Sequence, residues 1–268
     1  MTTITTTAAA KPLVAADFYT FMALACVATA FLGFIPTYWT PLVAGQFSAH
    51  PVVHMHGIAF FSWTIFAVFQ TSLVPAGRVA LHRSVGLAGI SIATLLTVLG
   101  LLAALNSLLG SYTVGRGYDA EAFLIVPLVI IATFATLFTL AIANIKRPEI
   151  HKRLMLLATI SVLNAPVARP LLSWVWPLSG PTDVPPVWIN VPACWLSYLL
   201  IVAAMIYDWR TRGRVHSVYL IAFPVLLVLA YLVIPISGTA GWHTFARDYA
   251  TTRRKRAGQR QLKRSTDT

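Results

Sequence analysis

Long apolar stretches alternate along the chain with short polar ones. Seven apolar runs, at about 18–36, 52–75, 84–106, 122–145, 152–176, 187–207 and 217–237, are each long enough to cross about 30 Å of hydrocarbon as a helix. A backbone in lipid must satisfy its own hydrogen bonds, which leaves helices or a closed barrel. A barrel needs strands of alternating polarity, and these runs are apolar throughout. The pattern predicts an all-α, polytopic transmembrane helical bundle of about seven spans over 18–237. A polar arm, 1–17, precedes it. A basic tail, 238–268, follows and is expected to be disordered, because it offers little apolar surface to bury. No internal repeat stands out.

Composition and charge add a topology. The 268 residues are 57% hydrophobic and 10% charged, against about 25% charged in a soluble domain. The net charge is +12, but the basic residues sit in loops and in the tail. A nucleic-acid face would gather them on one folded surface, so no nucleic-acid partner is expected and the lipid bilayer is. Three loops are basic: Arg78 with Arg83, Lys146 to Arg153, and Arg210 to Arg214. The loops between them carry little positive charge. The positive-inside rule places the three basic loops and the N-terminus in the cytoplasm. The basic tail from Arg253 to Arg264 then lies on the far side, against the usual sense of the rule. Cys26 and Cys194 fall inside apolar runs, where they serve as small apolar side chains rather than a disulfide or a thiolate metal site.

The chemistry concentrates in two stretches. From His50 to Gly86, His50-Pro51 reads as a helix cap followed by proline at the first helical position. His54 and His56 follow within two turns, about 200° apart around the helix. The stripe below His56 holds Phe60, Trp63, Ala67 and Gln70. Lipid offers an amide no partner, so this stripe is expected to face the protein interior, with His56 the better candidate ligand and His54 the second. Both are candidate haem or metal ligands. The stretch then meets the basic turn Gly77-Arg78 and His82-Arg83. Gly86, Gly89, Ala93 and Gly100 lie near one stripe of the next run and would let a neighbouring helix approach closely.

The second stretch, His151 to Arg169, reads as one continuous helix. Eighteen residues put its two ends on one face, about 27 Å apart, with Met155, Ala158, Val162 and Ala165 between. Arg169 is expected to be buried and paired, either with Asp119 or Glu121, with a haem propionate, or with an anionic substrate. His82 and His151 fall at one membrane depth and are expected to form a second histidine pair able to ligate one haem or metal. Arg78, Arg83 and Arg153 beside them would suit propionates. The alternative for all these basic residues is topology and phospholipid contact.

G-R-x-x-L-H-R-x-x-G (Gly77 to Gly86) followed by H-K-R-L-M and a later arginine (His151 to Met155, Arg169) resembles a broad family of uncharacterised bacterial multipass membrane proteins. Its members carry an HR-x-x-G turn and then an HRR-x-M helix that ends in a buried arginine, with a histidine near the outer end of the preceding helix, matching His54 or His56. The resemblance covers about 50–170. It implies a four-helix core, about 50–176, in a cytochrome-b-like arrangement within the bacterial inner membrane.

The leading functional expectation is a redox or electron-transfer component binding haem b or a metal ion, with a quinone or other membrane subunits as partners. The alternatives are a transporter or lipid-handling protein that binds an anionic small molecule, and a structural or assembly subunit. The last span has no lysine for retinal, the histidines are too few for a membrane di-iron hydroxylase, and no phosphate-binding glycine loop or nucleophile elbow occurs.

Overall fold

The computed structural model describes residues 17–178 and 183–266. It is built from α1 (Phe18–Gly33), a π-helical turn (Ile35–Trp39), α2 (Thr40–Val43), α3 (Pro51–Leu73), α4 (Val79–Thr113), α5 (Gly117–Phe123), α6 (Ile125–Ala143), α7 (Pro148–Ser161), α8 (Asn164–Pro170), a second π-helical turn (Leu171–Val175), a 3-10 turn (Val187–Ile189), α9 (Asn190–Arg212), α10 (Ser217–Ser237) and α11 (Ala240–Thr266). No strand occurs among the described residues. Six helical stretches are long and apolar enough to cross a membrane, and α1 joined to Ile35–Val43 across a 40° bend makes a seventh. The protein is thus an all-α polytopic bundle. Residues 1–16 of the expected N-terminal arm lie outside the described residues.

Local chemistry sets the helix ends. Asp17 caps α1 by accepting the Thr20 N–H at 2.9 Å. His50 caps α3, accepting from Val52 N at 3.3 Å, with Pro51 at the first helical position as the sequence predicts. Pro36 lacks an N–H, and the ladder there shifts to Trp39 N–H on Phe34 O at 3.1 Å, which makes the π turn behind the first bend. Gly213 closes α9 in the left-handed region at φ 70.

The fifth span is not one straight helix. It breaks between α7 and α8, where Leu163 N–H bonds back three residues to Ile160 O. Pro166 has no N–H to continue the ladder. The break is pinned sideways: Asn164 Nδ2 donates to Asn190 O at 3.2 Å and to Asn190 Oδ1 at 3.1 Å, and Asn190 Nδ2 donates to Ala230 O at 2.9 Å. This network ties α8, α9 and α10 together. His151 and Arg169 therefore do not share the continuous face expected of them, and Ala165 is exposed.

The main apolar core draws on α1, α3, α4, α6, α7, α9 and α10. Trp63 of α3 sits at its centre, edge-on to Phe134 and Phe138 of α6 at 5.1 and 5.5 Å between ring centres. Gly89 and Gly100 of α4 allow close approach, since a Cβ at Gly89 would lie 2.7 Å from Phe66 Cε1 and one at Gly100 3.2 Å from Ile131 Cδ1. Gly86, expected on the same stripe, faces open space.

Two hairpins dominate the packing, α3–α4 and α6–α7. Each second helix opens with the same pattern, which an inspection of the apolar runs misses. Arg78 precedes α4 and Arg147 precedes α7, and a histidine follows four residues later in each, His82 and His151, with a basic residue after it. The two helix starts share the pattern R-x-x-x-H-[R/K].

The tail differs from expectation. Ala240–Thr266 is the helix α11 rather than a disordered segment. At 35 residues α4 is about 52 Å long, well beyond the hydrocarbon thickness, and its last turns meet α5 and α11 at the face opposite the basic loops. Ala246 and Ala250 are fully buried against Ala104, Leu108, Ala120 and Leu124. The docked face is made of alanines, polar side chains and the rings of Trp242 and Tyr249, scattered among charged residues that mask its hydropathy signal.

Candidate functional site

The site is assembled where the two hairpins meet. His82 Nδ1 reaches Gln70 O in the last turn of α3 at 3.2 Å, and His151 Nδ1 reaches Ala141 O in the last turn of α6 at 2.8 Å. A carbonyl only accepts, so Nδ1 is the protonated nitrogen in each ring, and in the neutral ring Nε2 keeps its lone pair. The two ring centres are 6.5 Å apart, with planes at 85°. The pairing expected of His82 and His151 is therefore present in space. Arg78 and Arg83 lie exposed at the same end.

A polar stripe leads away from this pair along α3. Gln70 and Trp63 are 8% and 1% exposed. Both polar atoms of the Gln70 amide, Trp63 Nε1 and His56 Nδ1 are buried with no hydrogen-bond partner. These residues recur every seven positions, on one face of α3, over about 21 Å. His56 packs on α4, where a Cβ at Gly100 would lie 3.3 Å from its Cε1. Each such unsatisfied buried group costs about 1–3 kcal/mol, so four on one stripe are unusual in a native core.

His54 faces elsewhere. Its Nδ1 is 3.1 Å from Tyr38 Oη, and its ring meets Phe47 edge-on at 5.4 Å. His54 and His56 thus point to different neighbours and do not converge on a metal. Among the described residues no group of three or more His, Cys, Asp or Glu side chains could hold a metal ion.

Arg169 does not find the partner expected of it. Its side chain keeps accessible surface, and its guanidinium lies 6.0 Å from the Phe34 ring centre. No acidic partner meets it among the described residues. Its proposed acid Glu121 is buried in a different cluster, and Asp119 is exposed. A cleft of about 370 Å³ lined by Arg116, Asp119, Trp176, Asp183 and Trp188 includes neither Arg169 nor a histidine.

Two clusters escape the sequence reading. At the basic-loop face Arg153 is 1% exposed and its guanidinium holds Asp208, with the Nε–Oδ2 contact at 2.8 Å and a second, shorter contact from Nη2 to Oδ1. Glu149 joins it through Arg153 Nη1 at 2.8 Å and Arg212 at 2.6 Å. Arg153 is therefore an internal ion-pair residue, unavailable to propionates or lipid. The loop residue His216 nearby accepts the Val218 N–H at 3.2 Å. Burial, and then the Arg153 charge, hold His216 below its ordinary range.

At the opposite face Glu121, 2% exposed, gathers α4, α5 and α11. Its carboxylate accepts from Tyr112, from His243 Nδ1 at 2.8 Å, and from Arg247 Nε and Nη2 at 3.2 and 3.1 Å. Trp242 Nε1 donates to its carbonyl at 2.7 Å, and Tyr118 stacks on His243 at 4.3 Å. The Glu121 carboxylate holds Arg247 above its ordinary range. One signal was readable in advance. An acid at the end of an apolar run, such as Asp208 or Glu121, needs a named cation.

No protein-family model matches the chain, and no curated protein or solved structure matches it either.

Proposed function

We propose that this integral membrane protein is a redox component that holds one haem iron between His82 and His151. The observation that carries the reading is the geometry of that pair. Two imidazoles that hold one metal ion must bring their rings within several ångströms of each other. The observed separation is 6.5 Å. Both rings have Nδ1 committed to a backbone carbonyl, the outer hydrogen bond that fixes the tautomer of a ligating histidine. Two histidine nitrogens would suffice to hold a haem, whereas a metal held by side chains alone asks for three or four. The Gln70 amide has hydrogen-bonding capacity to spare beside the pair, and Arg78 and Arg83 would meet propionates. Bound there, haem would supply one-electron chemistry, exchanging with a quinone or a partner subunit. The chain would supply oriented ligands in a dry bundle. The positive-inside rule puts the pair near the cytoplasmic side of a bacterial inner membrane, and the HR-x-x-G turn and HKR-L-M helix of the resembled family fall on these same hairpins.

The test is a visible spectrum of the protein purified after expression with a haem precursor. The reading expects a Soret band with the split bands of two imidazole ligands. His82→Ala and His151→Ala should each abolish it, and His54→Ala and Arg169→Ala should not. No Soret band in the wild-type protein, even after reconstitution with hemin, overturns the proposal.

One observation favours a second reading. Both Nδ1 bonds cap a carbonyl in the last turn of a helix, where helical donors run out. As structural caps alone, the two histidines would each cost about 1 kcal/mol on replacement and leave the spectrum featureless.

A further inference from the structure

We infer that the cleft at the face opposite the basic loops is a binding site for a small organic cation that carries a substituted ammonium group. The cleft holds about 370 Å³, within the size range of small-molecule sites. Several short elements build it. Gly115, at φ 76, turns the chain from α4 into α5, and Arg116 and Asp119 follow at the start of α5. Trp176 closes the second π-helical turn, and Trp188 sits in the 3-10 turn before α9. Arg116 Nη2 donates to Asp183 Oδ1 at 2.5 Å, which ties α5 to the segment before α9.

The lining chemistry selects a cation. Arg116 and Asp183 neutralise each other. Asp119 also lines the cleft and meets no cation among the described residues, so its carboxylate is the unbalanced charge there. The chain as a whole carries +12, which makes a site of negative sign the exception. Trp176 and Trp188 both line the cleft and meet edge-on, 5.2 Å between ring centres with planes 87° apart. In such a pair the edge of one ring lies on the face of the other, so the first ring keeps its electron-rich faces clear of its partner. Those faces attract ammonium ions, and aromatic corners hold quaternary ammonium groups. A hard metal ion asks for several oxygen ligands and would find one free carboxylate. An anion would be repelled by Asp119 and would find Arg116 already paired. The ammonium chemistry is shared by a free alkylammonium and by the headgroup of a choline lipid.

The cleft lies at the opposite end of the bundle from the His82–His151 pair, and the inference stands apart from haem. A protein with no Soret band that still binds the cation would sink the first proposal and leave this one. The test is a calorimetric titration of the purified protein, in an uncharged detergent, with choline as the probe. The control ligand is the carbon isostere of choline, in which a tert-butyl group replaces the trimethylammonium. Choline should bind, and the isostere should bind at least about fivefold more weakly, the loss expected of one exposed ion pair. Asp119→Asn and Trp188→Leu should each weaken choline about fivefold. Asp119 is exposed and asparagine keeps its shape, so a loss there does not come from unfolding. Asp248→Asn, which removes an exposed acid of α11 outside the cleft, should change nothing. Nanodiscs assign the source. Weaker choline binding in phosphatidylcholine than in phosphatidylglycerol marks a lipid headgroup as the occupant, and equal binding in the two marks a free cation. No choline binding, equal affinity for choline and its isostere, or unchanged binding in both Asp119→Asn and Trp188→Leu overturns the inference.

Discussion

Replacing Gly33 by alanine should loosen the join between the first and fifth spans. Gly33 is the last residue of α1 and is pressed against α8. A Cβ there would fall 2.2 Å from Pro166 O, 2.6 Å from Pro166 C and 2.7 Å from Pro166 Cβ. These obstacles are backbone and a proline ring, which cannot rotate aside. The two helices would have to part by about 1 Å to restore ordinary contact, in an interior packed as densely as a crystal. Forced overpacking costs about 1–3 kcal/mol, and a rigid obstacle belongs at the upper end of that range. Better helix propensity returns up to about 1 kcal/mol. The net loss is about 2 kcal/mol, which for a chain of this size lowers Tm by about 4–8 °C. The assay is the fraction of protein that remains monodisperse by size-exclusion chromatography after heating in mild detergent. Gly110→Ala is the control: it lies inside α4 and nothing comes within 4 Å of its Cβ position, so it should hold or raise Tm. If Gly33→Ala melts within about 1 °C of wild type, or no lower than Gly110→Ala, the close crossing of α1 and α8 is wrong, since even 1 kcal/mol would show.

Three further outcomes follow from the charged clusters. Asp208→Ala leaves Arg153 buried without its main partner and should cost about 3–5 kcal/mol, whereas Asp208→Ala with Arg153→Met should recover most of that loss; equal Tm values for the single and double variants would refute the pairing. Glu121→Gln removes the charge that holds His243 and Arg247, so trypsin should cut α11 at Arg247 and Arg253 faster than in wild type; an unchanged digestion rate would mean that α11 is held by its alanines alone. His216 is held below its ordinary pKa in the fold, so its contribution is complete above the unfolded value of about 6.5 and is lost as pH falls through the folded value. His216→Asn keeps the cap without titrating and should flatten the fall of Tm between pH 8 and pH 5; the same slope as wild type would count against it.

The fold was legible in the sequence because the bilayer imposes a single strong constraint. Runs of about twenty apolar residues have one structural solution, and the structure places a helix on each of them. The errors lie where hydropathy is silent. α11 docks through Ala246, Ala250 and the partners of Glu121, which read as a solvated polar tail. The break after Ser161 depends on Pro166 and on Asn164 finding Asn190 twenty-six residues later, a partner that local periodicity cannot announce. The duplicated R-x-x-x-H start of α4 and α7 was present in plain letters, but its meaning lies in the carbonyl each histidine reaches.

The same reasoning separates the parts of the site that were readable from those that were not. The inward stripe of His56, Trp63 and Gln70 follows from helical geometry and the cost of an amide in lipid, both local arguments, and the structure buries Trp63 and Gln70 accordingly. The face shared by His151 and Arg169 depended on the helix remaining straight for five turns, and the break after Ser161 ends it. Of the seven histidines, His50 and His216 cap helix starts, His82 and His151 bond to carbonyls at helix ends, His54 meets Tyr38 and His243 meets Glu121. Only His56, among the described residues, keeps a buried ring nitrogen with no partner. Structural duty accounts for six of the rings at one nitrogen each. The functional question therefore narrows to the His82–His151 pair, whose ring centres lie 6.5 Å apart, and to the stripe of unsatisfied polar atoms on α3.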